Sequence, residues 1–334
     1  MASHTLTSSE IEQASPVLDA CPVCGARSGE VIYSDASDPL TGDSFHVIAC
    51  SGCGVAYTSP RPLSADRYYP QRYRAYGPLL TRILGAFYRM RVSRWAAWKR
   101  EGGSVLEVGC GLGLMLAAFS QFGWKATGIE RNEEVVARIR PMPGVEITTI
   151  AVEELPVDVR FDLIVMFHVL EHIGDPVQLL RDCAKRLAPG GRLVVNVPNF
   201  ASWQARFAGP KWLHLDVPRH LVHYTPQTLA ATFERAGLKA SEFRFVSIEH
   251  DPYGWVESAS NRLTSRLTGR SNTLTRFLMG IDRFGLGVAL SGVIGAILAI
   301  PAFVLACFSW TFGKGAVMEA TAVSDGKGPR GRTF

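Results

Sequence analysis

The sequence predicts an α/β fold, a doubly wound parallel sheet filling the middle of the chain. Three observations predict it. From Ser104 onward, short apolar runs alternate with segments of helical spacing. The first of those runs ends in a glycine-rich turn, VLEVGCGLG at Val105–Gly113. The chain is also long enough, at 334 residues, for one large domain with a sizeable core and a smaller module beside it. Apolar residues make up 47% and charged residues 19%, and the net charge of +5 is too mild to require a nucleic-acid partner.

The elements follow in order. Residues 1–20 are polar, and MASHTLTSSEIEQ lacks the apolar segment of a secretion signal, so a disordered tail is expected there. Residues 21–58 then carry CPVC and CSGC, which pair Cys21 with Cys24 and Cys50 with Cys53. Without a secretion signal, such pairs favour metal over disulfides. Each pair places two thiolates on one tight knuckle, with Gly25 and Gly54 suited to the turn. Together they predict a four-sulfur zinc ribbon with a hairpin between the knuckles. Its zinc is structural, because four sulfur ligands leave no open position. Cys110, Cys183 and Cys307 read as small apolar residues.

Residues 59–103 form a basic connector. Nine Arg or Lys and no acid lie between Arg67 and Arg100. Leu80, Ile83, Leu84, Phe87, Trp95 and Trp98 recur at helical spacing, so the helix either lies on a membrane surface or packs on the catalytic domain. Beyond it come the strand SVLEV, the helix LMLAAFSQFG, the strand KATGIE and the helix NEEVVARIR. VEITTI and FDLIVMF follow as strands, then the helix PVQLLRDCAKRLA and the strand GRLVVNV. A helix near TPQTLAATFERAG and the strand SEFRFVSIEH close the series. Ligands of such sheets bind outside the carboxyl ends of the strands.

The glycine turn rules out two nucleotides. A dinucleotide fingerprint needs G-x-G-x-x-G, whereas Gly109, Gly111 and Gly113 alternate and position 114 is Leu. No G-x-x-x-x-G-K-[ST] loop occurs here either. Glu107 at the strand end would repel a pyrophosphate but suits a cationic ligand, and Glu130 ends the next strand where an acid can hold both ribose hydroxyls. A sulfonium nucleoside fits both. With EVGCGLG, GIE, FDLIVMFHVLEHIGDP and LAPGGRLVVNVPN in this order, residues 104–200 resemble class I S-adenosylmethionine-dependent methyltransferases. The wider chain resembles bacterial members with a CxxC…CxxC ribbon, several of which act in surface-polysaccharide or lipid pathways; DVPRHLVHYTPQTL resembles a segment recurrent among them.

The resemblance implies a seven-stranded, mostly parallel sheet whose last strand returns antiparallel. It places Gly109, Gly111 and Gly113 beneath the methionine part, Glu107 beside the loop, Glu130 on the ribose and Phe167 in the cofactor site. For adenine it offers the Val152 backbone and Glu153, in AVEELP, where the usual aspartate is absent. Methyl transfer needs alignment of the acceptor and exclusion of water, and a hydroxyl acceptor gains from a general base. His172 and His220 are the candidate bases. His168, His172 and adjacent Glu171 are expected on one helical turn, and Arg219 is available for an acidic substrate group. Nothing in the spacing of these histidines supports a metal.

Phe284–Gly313 contains no charge, enough for a membrane span by length. Pro301 is expected to break it, and GAVMEATAV beyond reads as the returning strand. The methyltransferase domain therefore comprises residues 104–250 and 314–324, interrupted by an apolar helical insertion at 251–313 and followed by a tail at 325–334. A strand that returns to the sheet favours an insertion dipping into one leaflet over a true span or a buried helix. Arg262, Arg266, Arg270, Arg276, Arg283 and Lys314 would meet anionic headgroups on the cytoplasmic side. The expected protein is a cytoplasmic enzyme seated on the inner face of the cell membrane. It would methylate a hydroxyl of a small-molecule or lipid-linked saccharide, glycolipid or quinone-like acceptor. The alternatives are an RNA methyltransferase, which the apolar insertion argues against, and a non-catalytic scaffold, which the cofactor motifs argue against.

Overall fold

The computed structural model describes residues 19–62, 64, 66–68, 78–99, 101–268, 271–278 and 281–324. The expected C-terminal tail, nearly all of the N-terminal one, most of the Arg-rich connector, Arg100, Arg270 and the side chains of Leu80 and Arg266 lie outside the described residues.

The first sheet begins with β1 (Gly29–Ser37), β2 (Ser44–Cys50) and β3 (Ala56–Ser59), an antiparallel meander whose β1–β2 hairpin is the one expected between the cysteine pairs. Helix α1 (Pro78–Ala96) leads into the second sheet. There β4 (Ser104–Val108), α2 (Leu114–Gln121), β5 (Lys125–Ile129), α3 (Glu133–Val136), β6 (Val145–Thr148), β7 (Phe161–Phe167), α4 (Pro176–Arg186) and β8 (Leu187–Pro198) alternate as the sequence requires. After α5 (Trp203–Ala208), the two-residue strand β9 (Val222–His223) pairs with β3 and becomes the fourth strand of the first sheet. Then come α6 (Pro226–Arg235) and β10 (Leu238–Arg244), the three insertion helices α7 (Asp251–Thr268), α8 (Thr273–Leu278) and α9 (Leu286–Thr311), and finally β11 (Val317–Ser324).

The large sheet runs β10-β11-β8-β7-β4-β5-β6. Its strands β8, β7, β4, β5 and β6 are parallel, and β11 lies antiparallel between β8 and β10. This is the seven-stranded, mostly parallel arrangement that the class I resemblance implies, with the final strand returning as expected. β7 and the second half of β8, from Leu193 on, are nearly all buried and mostly apolar, as parallel strands packed on two sides must be.

Four local expectations differ from the structure. The helix expected over NEEVVARIR shrinks to one turn capped by Asn132, whose side chain accepts from the Val135 N–H. The strand expected over SEFRFVSIEH begins earlier, at Leu238, and the chain leaves the sheet after Arg244, so Glu249 and His250 turn inward. Ile83 is exposed, and α1 packs through its second half, with Val92 and Ala96 buried and Tyr88 and Trp95 against the core, where Trp98 joins them just past the helix end. Finally, Pro301 does not break α9, which continues for ten residues beyond it to Thr311 despite the lost N–H donor and the ring's crowding of the preceding turn. Within the insertion, α7 packs against α9. Small residues make that contact possible. Ala302 and Ala306 of α9 pack with Trp255 and Val256 of α7, and the buried Ser291 hydroxyl meets that of Ser260 on α7 at 2.6 Å.

Candidate active site

The turn after β4 is built for close approach. Gly109, Gly111 and Gly113 all have positive φ (73°, 54° and 72°), and a Cβ on Gly109 would stand 2.5 Å from Val169 Cγ2. The Gly109 and Cys110 N–H groups both donate to the Ile129 carbonyl, which ties the turn to the end of β5. Glu130 follows there. Its carboxylate accepts from the Gly111 N–H on one oxygen and from the Asn132 N–H on the other, each at 3.0 Å. That carboxylate is therefore fixed in orientation before any ligand arrives.

The turn opens onto a cavity of about 380 Å³. Glu107, Gly109, Phe167, His172 and His220 line it, so five of the expected site residues meet in one place. Glu107 is 4% exposed, a carboxylate at the apolar end of a strand. Phe167 is gripped between Tyr88, edge-on at 5.8 Å, and the Arg91 guanidinium 4.6 Å from its ring centre. Val152 and Glu153 are not among the lining residues: Val152 is buried in the core and Glu153 is exposed, on a 3-10 turn after β6.

His168 and His172 do not share a helical face. His168 adopts φ 53° directly after β7 and gives its N–H to the Asn196 carbonyl, and only Leu170–His172 form a 3-10 turn. His172 reaches the Arg219 carbonyl through Nδ1 at 2.9 Å, and His220 reaches the His214 carbonyl through Nδ1 at 2.9 Å. The two rings stand 4.7 Å apart. Burial, with His172 next in weight, pushes the His220 imidazole down to about 3. The same cause lowers His214 and His250 to about 3, His250 also facing His168. These imidazoles are neutral at ordinary pH. Arg219 is not available to a substrate: its guanidinium binds Asp38 at 2.8 Å, Asp216 at 2.6 Å and the Tyr68 carbonyl at 2.6 Å.

Sequence reasoning missed several wall residues. His214 and Asp216 come from the loop before β9, Pro39 and Leu40 from the ribbon, and His250, Tyr253, Thr275 and Arg276 from the segment around and within the insertion. The ribbon sheet also holds the His220 loop in place. Thr58 Oγ1 donates to the His220 carbonyl at 2.7 Å, and the Thr58 N–H to the Leu221 carbonyl at 3.0 Å. The signal for this was the polar threonine inside a short, wholly buried strand.

The four ribbon cysteines converge, with one sulfur from each inside a cluster whose atoms lie within 4.8 Å of one another. Cys21 and Cys53 sulfurs are 3.7 Å apart, and those of Cys24 and Cys50 are 3.5 Å apart. The Gly25 and Gly54 N–H groups close the knuckles onto the Cys21 and Cys50 carbonyls, and both glycines have positive φ as the turn requires.

The methyltransferase domain family matches residues 80–242. The chain is 32% identical over 173 residues to the ubiquinone biosynthesis O-methyltransferase of Bordetella avium (strain 197N), covering 48% of this chain and 71% of that one. It is 31% identical over 154 residues to the enzyme of the same name in Xanthomonas euvesicatoria pv. vesicatoria (strain 85-10), covering 42% of this chain and 64% of that one. The chain thus spans about two thirds of the length of these curated relatives. A solved SAM-dependent methyltransferase from Archaeoglobus fulgidus is 16% identical, covers 71% of this chain and 93% of that one, and superposes with a TM-score of 0.44.

Proposed function

The chain belongs to the S-adenosylmethionine-dependent methyltransferases, and from that premise we propose that it methylates a hydroxyl of an amphipathic, quinone-like or lipid-linked acceptor at a membrane surface. One observation carries the reading. The insertion that walls the cavity, through Tyr253, Thr275 and Arg276, also carries α9, whose outer side leaves Val293, Ile297, Ile300, Val304 and Phe308 exposed, Ile300 at 78%. An apolar surface of that length on a soluble enzyme needs a partner, and the helix is long and apolar enough to cross a membrane. Since β11 returns into the sheet, monotopic seating fits better than a span. Arg262 and Arg283 are exposed for anionic headgroups, whereas Arg276 is committed to Asp282 and to the Pro39 carbonyl. The reading takes the cytoplasmic, inner face of the membrane as the place of this seating.

The site fits the cofactor. The positive-φ glycine cradle admits it, Glu130 would hold the ribose hydroxyls, and the Glu107 carboxylate suits a cationic neighbour. Bound S-adenosylmethionine supplies a methyl carbon already activated by positive sulfur. The protein orients the acceptor in a cavity walled by Phe167, Tyr253, His214 and His250, and His172 takes the hydroxyl proton on its ring nitrogen, burial leaving His220 too weak a base to be the first choice. The four-sulfur cluster fits structural Zn²⁺, which would lock the knuckles that carry β2 and β3. The names of the curated relatives support the quinone-like choice among acceptors. Two arginines of α1 are withdrawn from RNA recognition, Arg91 by buried ion pairs with Glu249 and Glu319 and Arg94 by its pairing with Glu319.

Vesicle flotation tests the seating. The protein is expected to float with anionic phospholipid vesicles, and Ile297→Asp with Ile300→Asp to abolish flotation while leaving S-adenosylmethionine binding intact. Flotation unchanged by the double substitution refutes it.

A further inference from the structure

Seating in lipid accounts for the apolar outer side of α9 but not for the inner face of α7. There Tyr253 and Glu257 stand four residues apart on one side of the helix. Glu257 is 0% exposed; its Oε1 accepts from the Thr275 N–H at 3.3 Å, and its Oε2 has no hydrogen-bond partner among the described residues. Tyr253 and Thr275 line the cavity, and their hydroxyls meet at 2.7 Å. A membrane anchor has no use for a buried carboxylate behind a hydroxyl pair, because buried polar groups are costly. All three residues also lie beyond 242, where the match to the methyltransferase family ends, so their purpose belongs to this chain.

The hydroxyl pair has one proton to spare. Each hydroxyl carries one, and the bond between them consumes only one. The other is left to give, from whichever hydroxyl does not donate inside the pair. Burial, and after it the Glu257 carboxylate, raises the Tyr253 phenol above its usual range, so it stays protonated at ordinary pH. The Arg276 guanidinium on the same wall is spent on Asp282 and on the Pro39 carbonyl. We infer that Tyr253, backed by Thr275 and Glu257, is a specificity-determining residue that hydrogen-bonds a second oxygen on the head of the acceptor. Resting on the hydroxyl-acceptor reading, the first oxygen is the one methylated and lies toward His172, which walls the same cavity. Phe167, His214 and His250 add flat rings to that wall and suit a planar head. The acceptor is thus a planar ring carrying two oxygens rather than a lone alcohol. A site built to hydrogen-bond an oxygen rejects the analogue that lacks it, because its own polar groups are then left unpaired.

Calorimetry tests the assignment without methyl transfer. Protein saturated with S-adenosylhomocysteine is titrated with a short-chain alkyl catechol and with the matching alkyl phenol. The wild type is expected to bind the catechol about tenfold more tightly, the worth of one hydrogen bond, and Tyr253→Phe to bring that ratio to about one. Thr275→Val leaves the phenol in place but removes its anchor, and is expected to lower the ratio to about threefold. Binding of S-adenosylhomocysteine reports that each variant is folded. A wild-type ratio near one, heat from neither compound, or a ratio unchanged in either folded variant overturns the assignment. An alkyl glucoside that binds as tightly as the catechol overturns the planar head. Selective catechol binding without methyl transfer leaves the role of Tyr253 standing and removes the hydroxyl-methylation reading, whereas methyl transfer with equal affinity for the two compounds does the reverse.

Discussion

Replacing Glu130 by alanine removes two acceptor oxygens that the fold has already oriented. In the protein alone each oxygen takes one main-chain N–H, from Gly111 and from Asn132, at 3.0 Å. Those bonds use one lone-pair direction per oxygen and leave others for the two ribose hydroxyls. A hydrogen bond to a charged group is worth about 1.5–3 kcal/mol. Glu130 is half-exposed, so the lower end applies to each hydroxyl, giving a loss of about 3 kcal/mol, or a ~150-fold rise in Kd. Glu130→Gln keeps one acceptor oxygen, so about half the loss and a ~10-fold rise are expected. The assay is isothermal calorimetry with S-adenosylmethionine and with S-adenosylhomocysteine, both of which contain the ribose and should suffer alike. Circular dichroism melting of the ligand-free variants isolates the cost of stranding the Gly111 N–H. If Glu130→Ala binds within about threefold of wild type, the ribose assignment is wrong, whatever the turn does.

Further outcomes test other joints of the structure. Gly109→Ala should lower stability by about 1–3 kcal/mol in urea unfolding and abolish cofactor binding, because φ 73° is strained for alanine and its Cβ meets Val169. Asp251 ties α7 to the end of α9 and to β11 by accepting from Trp310 Nε1 and the Ala316 N–H, and burial raises its carboxyl from 3.8 to about 7. A raised folded-state pKa favours the protonated form. Stability should therefore fall by up to about 1.4 kcal/mol per pH unit between the unfolded value of 3.8 and about 7, a slope that Asp251→Asn removes in pH-dependent denaturant titrations. Stripping zinc with a strong chelator should speed amide exchange first in β2 and β3 and then in the His220 loop, because Thr58 holds that loop. Unchanged exchange at residues 219–223 would show the ribbon to be independent of the site.

The layers of the fold were legible because they rest on local signals. Periodicity located β4 through β8, alternating glycines marked the cofactor turn, and GAVMEATAV after an uncharged run announced the returning β11. What stayed hidden depends on long-range contacts. Nothing local shows that Val222 and His223 complete the ribbon sheet, because a two-residue strand exists only through its partner β3. Arg219 looked free for substrate because its acceptor Asp38 lies 181 residues away in sequence. His250 was expected inside a strand, yet the strand ends early and places it 4.8 Å from His168. The Tyr253 and Thr275 pair was invisible for the same reason, since 22 residues separate its members.

The measurement closest to the central claim follows a labelled methyl group. Purified protein is incubated with methyl-tritiated S-adenosylmethionine and anionic vesicles carrying a prenylated catechol, beside a soluble catechol and bulk RNA. Label is expected in the lipid extract as a methyl ether, faster from vesicles than from the soluble catechol, and strongly reduced in Glu130→Ala. Label entering RNA, or soluble and vesicle-bound catechols serving equally well, would contradict a methyltransferase that works on a membrane-seated hydroxyl.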